Sequence, residues 1–494
     1  MDVLLYESGD TSLGLKRTLG KFNLMALGIG AIIGAGIFVL TGQAAAQYAG
    51  PAVSLSFIVS ALACAFAGLC YAEFASMIPI AGSAYTYAYA TMGRIVAWII
   101  GWALILEYLF AGSTVAVGWS GYVVSFLDKN VGVHIPPQFT AATGTKMIQT
   151  GDGWQEQTHE LVASLTERGI SIESLPTVTS LINLPATLIV FLIMILLVRG
   201  IKESAIFNNI IVGVKLIVIF LFILFGWQYV NGENWTPFIP ENTGTFGNFG
   251  VSGVLRASAV IFFAYIGFDA VSTAAQEAIN PQKDMPWGIL GSLVICTIVY
   301  ILVSLVMTGI APYQELNTAA PIAIAIDKAG EGLRWLSPFI KIGAIAGLTS
   351  VILVMLMGQT RIFFSMAKDG LFFESFSKIH PRFGTPITST IITGLVAMVA
   401  SGFLPISILG ELVSIGTLLA FIIVCIGVLI LRYKSPELKR PFKTPLFPVV
   451  PILGIICCTG VMLFLNPIIF LIAGIWLLIG LVIYWIYGRH HAKY

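Results

Sequence analysis

The feature that most limits this chain is the recurrence, from end to end, of apolar runs. Each is about 20 residues long, enough helix to cross a hydrocarbon core of about 30 Å. Inside that core no water can satisfy a backbone N–H or C=O, so a spanning segment must be a helix or part of a closed barrel. Runs of this length specify helices. Composition agrees: 57% of the 494 residues are hydrophobic and only 10% are charged, against roughly 25% charged in a soluble protein. Twelve spans are predicted, at residues 22–48, 52–80, 95–127, 182–199, 203–226, 252–279, 286–310, 337–366, 387–403, 405–431, 447–465 and 467–487. The second run follows the first directly, which marks the first as a span and not a cleaved leader.

Positive charge orients these spans. With the N-terminus inside, eighteen of the 26 Lys and Arg residues fall in connections on that side and six on the other, with Lys215 and Arg256 left within spans. The bias predicts cytoplasmic N- and C-termini in the plasma membrane, and an even number of spans. The outside connection 128–181 is polar, with six acids against three bases, and its "QTHELVASLTERG" predicts a short surface helix. The inside connection "RYKSPELKRPFKTP" (432–445) is basic and proline-rich. It reads as a topology determinant near anionic lipid, with no nucleic-acid partner. All six cysteines lie in apolar runs, which fits small buried hydrophobes rather than a disulfide framework.

Several chemistries are excluded. All five histidines lie in loops or the tail, no HExxH helix occurs, and no GxxxxGK[ST] phosphate loop occurs. Neither an intramembrane haem held by paired histidines, a zinc protease nor ATP hydrolysis by this chain is therefore expected. The chain reads as no enzyme, with no metal and no cofactor, and its leading function is gradient-driven movement across the membrane.

Charged groups inside spans are costly and default to function. Glu107 falls mid-way along the third span and Lys215 mid-way along the fifth. Lys215 is about 12 residues, or roughly 18 Å of helix, from either end, too far to snorkel. Desolvation weighs against its charged form, which suits reversible protonation. The bland alternative is a permanently charged lysine pinned to backbone carbonyls. For Glu107 that alternative is a helix-packing glutamate. Glu73, Asp269 and Glu277 lie towards the cytoplasmic ends of their spans, where gating contacts or interfacial solvation weigh at least as much as substrate contact.

The first span contains "GIGAIIGAGIF" (28–38), with Gly28, Gly30, Gly34 and Gly36. A dinucleotide fingerprint is excluded by its spacing and its place in a membrane run. Gly30 and Gly34 form a GxxxG packing motif, which leaves Gly36 unexplained. A helix broken at mid-membrane explains more: glycines permit unwinding, and the freed N–H and C=O groups bind the charged ends of a ligand. On this reading Gly28 and Gly30 pack the first half-helix, and Gly34 and Gly36 mark the opening. The sixth span, with Gly267 near its centre, predicts a second break between two half-helices. Spans one and six are five helices apart, so two five-helix halves form an inverted repeat.

These residues resemble a family. "GIGAIIGAGIF", "YAEFASMIPIAGSAYTYAY" (71–89), "FFAYIGFDAVSTAAQEAINPQKDMP" (262–286) and "GQTRIFFSMAKDGL" (358–371) are similar to the cationic amino acid transporters of the amino acid–polyamine–organocation superfamily. The likeness runs from about residue 15 to 490. It implies an all-α polytopic membrane protein with a LeuT-like 5+5 inverted repeat (22–226 and 252–431). Helices 11 and 12 (447–487) follow, with cytoplasmic segments at 1–21 and 488–494. It also implies L-amino acid substrates. In bacterial members these are often moved with protons.

Residue by residue, the resemblance places the substrate carboxylate at the amides around Ala35 and Gly36. It places the α-ammonium at the carbonyls of Ile32, Phe263 and Ile266, with Ile33, Gly34 and Ala264 in the same unwound stretches. Phe263 resembles the aromatic gate, Met355 the residue at the side-chain end of the pocket, and Glu107 the family's third-span glutamate. Lys215 resembles the fifth-span lysine that takes the place of a sodium ion, contacting backbone near Gly34 and also Thr349 or Ser350. The expectation is a proton-coupled L-amino acid symporter working by alternating access, as a monomer or weak oligomer. The bulk of Met355 favours small or neutral side chains. The alternatives are an arginine/lysine permease or exchanger and, from another class, a channel or a non-transporting amino acid sensor.

Overall fold

The computed structural model describes residues 19–77, 83–150, 153–158, 161–162, 165–166, 169–200, 205–269, 271–272, 275 and 278–492. Glu277, the first 18 residues of the N-terminal segment and the last two of the tail lie outside the described residues. Seven described helical segments are long and apolar enough to cross a membrane, and five shorter apolar helices accompany them. The main helices are α1 (Lys21–Ile32), α2 (Val53–Met77), α3 (Arg94–Phe126), α4 (Leu184–Arg199), α5 (Ala205–Gly226) and α6 (Gly250–Ile261). They continue as α7 (Pro281–Ile310), α8 (Ser337–Lys368), α9 (Ile387–Phe403), α10 (Ile406–Lys434), α11 (Val449–Leu463) and α12 (Pro467–Ile483).

The packing is that of a protein whose solvent is hydrocarbon. On α5 the lysine is inside and the large hydrophobes are outside: Lys215 is 1% exposed, while Ile217 and Phe220 are 60% and 61% exposed. In water that arrangement would bury a charge and waste the hydrophobic effect. Facing lipid, it is the expected one. The core is built where α3 packs along α8 and α10, and where α7 packs along α1 and α2.

Two expectations are corrected. The fold is not wholly helical, because segment 128–181 carries a three-stranded antiparallel sheet, β1 (Lys146–Thr150), β2 (Gly153–Glu156) and β3 (Thr177–Thr179), in the order β2-β1-β3. This segment lies beyond the end of an apolar helix, so strands there can leave edges in water. Within "QTHELVASLTERG" the described residues 161–162 and 165–166 are helical. The second correction concerns span six. After α6 and the 3-10 turn Phe262–Tyr265, no α-helix forms among the described residues up to Asn280. Gly267 at φ +112° interrupts the winding there, in a conformation that a side chain makes costly, and the described residues 269, 271–272 and 275 beyond it are in 3-10 turns.

Candidate functional site

The first span is interrupted as its glycines predict. Helix α1 ends at Ile32, and Ile33 turns to an extended conformation (φ −72°, ψ 97°). Helical winding resumes at Ala35 and runs through the π-helical turn Gly36–Leu40. A helix stopped in mid-membrane leaves its last carbonyls and the next first-turn amides without intrahelical partners. Those carbonyls are claimed by side chains from two other helices.

The Lys215 ammonium, from α5, donates to the carbonyls of Gly30 at 2.9 Å and Ile33 at 3.1 Å. A cation at the carbonyl end of a helix also meets the negative end of its dipole. Lys215 reaches this position because α8 makes room: a Cβ at Gly347 would stand 2.8 Å from its Cε. Thr349 and Ser350 do not receive the ammonium. The Thr349 hydroxyl donates to Ile345 O and accepts from Trp119 Nε1, and that of Ser350 donates to Gly347 O.

The second donor was not legible beforehand. The Tyr300 hydroxyl, from α7, lies 2.9 Å from both Ile32 O and Ala264 O and has one proton to share between them. It joins the two interruptions directly. Its one sequence signal is a phenol within an apolar run, since a buried Tyr O–H usually finds a partner.

The two breaks also touch backbone to backbone. A Cβ at Gly36 would stand 2.3 Å from Ala264 Cα, and one at Gly267 would stand 2.9 Å from both the carbonyl carbon and oxygen of Ala31. Gly36 is therefore a close-approach glycine, while Gly34 has ordinary space, its nearest contact being Val351 at 3.5 Å. The division of labour read from the glycines is thus corrected: Gly36 lets the second break in, beyond opening the first. In the 3-10 turn after α6 the Phe263 carbonyl already accepts from the Ile266 amide at 3.1 Å. A carbonyl keeps a second lone pair, so Ile32 O and Phe263 O can each still take one donor.

The structure therefore gathers Ile32, Ile33, Gly34, Ala35, Gly36, Ala264 and Lys215 at one place. Met355 lies one turn beyond Val351 on α8, is buried, and faces Gly112 of α3. Phe263 is buried in the 3-10 turn beside Ala264. Glu107 is elsewhere. On α3 it is Gly118 that faces Ala35, with 3.4 Å from a Cβ there to Ala35 Cβ. Glu107 is three turns away, about 16 Å of helical rise. It belongs to a second buried polar group, next to Tyr108, whose hydroxyl donates to Asp269 Oδ2 at 3.4 Å. The Glu107 Oε2 and the Tyr71 and Tyr87 hydroxyls have no hydrogen-bond partner among the described residues. Glu73 is in neither group, being ion-paired with Arg432 at 2.6 Å.

A core of helices that turns hydrocarbon outward, with two interruptions offering backbone polar groups at its centre, defines a multi-pass membrane protein of the permease class. Comparison with known proteins agrees: the chain belongs to the amino acid permease family, whose model matches residues 19–488. It is 46% identical over 493 residues to the branched-chain amino acid permease BcaP of Bacillus subtilis (strain 168), covering all of this chain and 97% of that one. It is 44% identical to the methylthioribose transporter of the same organism, covering 97% of this chain and 95% of that one. Identity to cationic amino acid transporter 4, vacuolar, of Arabidopsis thaliana is 38%, covering 86% of this chain and 64% of the longer relative.

Proposed function

We propose that this chain is a proton-coupled symporter of L-amino acids in the plasma membrane, working by alternating access. The observation that carries the reading is the meeting of two interrupted helices at Gly36 and Ala264, with Lys215 capping the first. A first-turn amide cluster at Ala35 and Gly36 suits a carboxylate. The remaining lone pairs on Ile32 O and Phe263 O, and the carbonyl of Ile266, suit an ammonium. Those are the two charged ends that every amino acid shares.

The architecture proposed is the LeuT-like one, with twelve spans in two inverted repeats at 22–226 and 252–431 followed by helices at 447–487. Helix contacts support it. Exchanging each helix n with n+5 carries the α1–α7 packing onto α6–α2, α3–α10 onto α8–α5, and α1–α5 onto α6–α10. It maps the α2–α7, α3–α8 and α4–α9 pairs onto themselves. Both termini are placed inside by the positive-charge bias, so the sheet-bearing segment 128–181 is external. Lys215 carries the coupled proton: protonated, it holds α1 closed on substrate, and its deprotonation towards the cytoplasm frees the Gly30 and Ile33 carbonyls. Glu107, far from the break, is reassigned to the inner polar group around Asp269.

Substrate class is the property to test first, because the relatives include transporters of an amino acid and of a thio-sugar. Purified full-length chain in proteoliposomes preloaded with L-leucine is expected to show counterflow of labelled L-leucine. Competition by L-alanine and L-leucine stronger than by L-arginine supports the neutral preference drawn from Met355. Competition by methylthioribose alone contradicts the amino acid reading, since that molecule has neither carboxylate nor ammonium.

A further inference from the structure

The outer halves of the two broken helices are held together beyond the site itself. The Phe249 amide donates to Tyr48 O at 2.8 Å, and a Cβ at Gly253 would stand 2.1 Å from the same oxygen. The end of the first span and the start of α6 are thus joined backbone to backbone. One turn along α6, the Arg256 guanidinium lies over the Tyr48 ring at 5.2 Å. It donates to Phe464 O, in the α11–α12 turn, and to Glu411 Oε1 of α10, each at 2.5 Å. The other Glu411 oxygen accepts the Asn466 amide at 2.8 Å. Glu411 is buried and Arg256 largely shielded, their side chains being 5% and 11% exposed. A single ion pair therefore connects both outer half-helices to α10 and the turn beside it.

The other end of α10 carries a pair of the same chemistry with different neighbours. Glu73 of α2 accepts from Arg432 at 3.0 and 2.6 Å and from the Thr444 amide at 2.8 Å. Arg440 Nε lies 3.3 Å from Glu73 Oε1, the oxygen that Arg432 Nε also reaches. This inner clamp fixes α10 to α2 and to segment 432–445, and it includes neither broken helix. Thus α10 is anchored inside to a continuous helix and outside to the two halves that cover the site.

In a largely shielded pair with hydrogen bonds on both partners, taking away one leaves an uncompensated charge. Water entering from outside would hydrate both groups and remove that penalty. We infer that Arg256 and Glu411 form the outer latch of the transport cycle, separating when the site opens outward and re-forming when it closes. Both are positioning residues, acting through the placement of α6 and the outer part of the first span. The inner Glu73 clamp stays shut throughout. The inference rests on the alternating-access reading.

The test uses the full-length chain with its six cysteines replaced by alanine and a reporter cysteine at Val351, whose side chain lies 3.5 Å from a Cβ built at Gly34. A membrane-impermeant methanethiosulfonate is added outside proteoliposomes of defined orientation. Glu411→Gln is expected to raise the modification rate about tenfold, which is about 1.4 kcal/mol towards the open form. The double exchange Arg256→Glu with Glu411→Arg restores a pair and should return the rate towards the parent value. Glu73→Gln serves as the control for general loosening and should leave outside access unchanged. Equal rates in the parent and Glu411→Gln proteins overturn the latch, as does an equal rise with Glu73→Gln. If the reporter is never modified and L-leucine counterflow is also absent, the alternating-access reading itself fails and takes the latch with it.

Discussion

The two helix interruptions look equivalent in the sequence and are held in opposite ways. The break in the first span is held from outside: Lys215 of α5 takes Gly30 O and Ile33 O, and Tyr300 of α7 takes Ile32 O. The break in span six shares that tyrosine, through Ala264 O, but otherwise closes on itself. Phe263 O accepts from Ile266 three residues on, and Gly267 turns the chain at positive φ. One break is a joint clamped by removable side chains and the other is a local turn. The first can therefore change with protonation or binding, while the second is set by backbone geometry. Under the proposed coupling, that asymmetry lets Lys215 act on one break and leaves the other as its reference.

The comparison can be broken at its points of contact, and Gly36→Ala should have the largest effect. Its Cβ would meet the Ala264 backbone at 2.3 Å, and an overpacked core contact costs about 1–3 kcal/mol. Transport should fall more than about tenfold and thermal stability should drop, both measurable on detergent-purified protein. Tyr300→Phe should come next. It leaves Ile32 O and Ala264 O without their donor, and an uncovered buried acceptor costs about 1–3 kcal/mol. The expected result is a clear rise in the KM for L-leucine with the protein still folded. An unchanged KM would show that the two breaks do not depend on this hydroxyl. Gly34→Ala should do least, since its Cβ finds ordinary contact distances. Influx within about a factor of two of the parent is expected, because a contact beyond 3.4 Å needs no repacking. A loss at Gly34 as large as at Gly36 would mean that the freedom to unwind, and not close approach, sets the glycine requirement.

Much of this was legible in the sequence because membranes impose few choices. The rarity of charge within spans singled out Lys215, and the glycines located the first interruption to within a few residues. What failed to show was distance between helices. Glu107 and the glycine stretch both lie in spans, yet nothing in the order of residues tells which level of α3 stands beside Ala35. Tyr300 was invisible for the reason that makes it effective, since one phenol among apolar residues reads as ordinary packing. The apolar run of span six continues past Gly267 and so predicts two half-helices, whereas the described residues after it wind in short 3-10 turns and not as α-helix. The sheet of segment 128–181 leaves no signal in the sequence because its strands are five, four and three residues long, too short for a period-two pattern to stand out.

The central claim is that Lys215 couples a proton to the closing of the first break. Labelled L-leucine accumulation into proteoliposomes, driven by an acidic exterior and compared between the parent chain and Lys215→Ala, tests it most directly. Accumulation above equilibrium is expected for the parent and none for the variant, with counterflow exchange in the variant showing that it is folded. Undiminished gradient-driven accumulation by Lys215→Ala would contradict the claim.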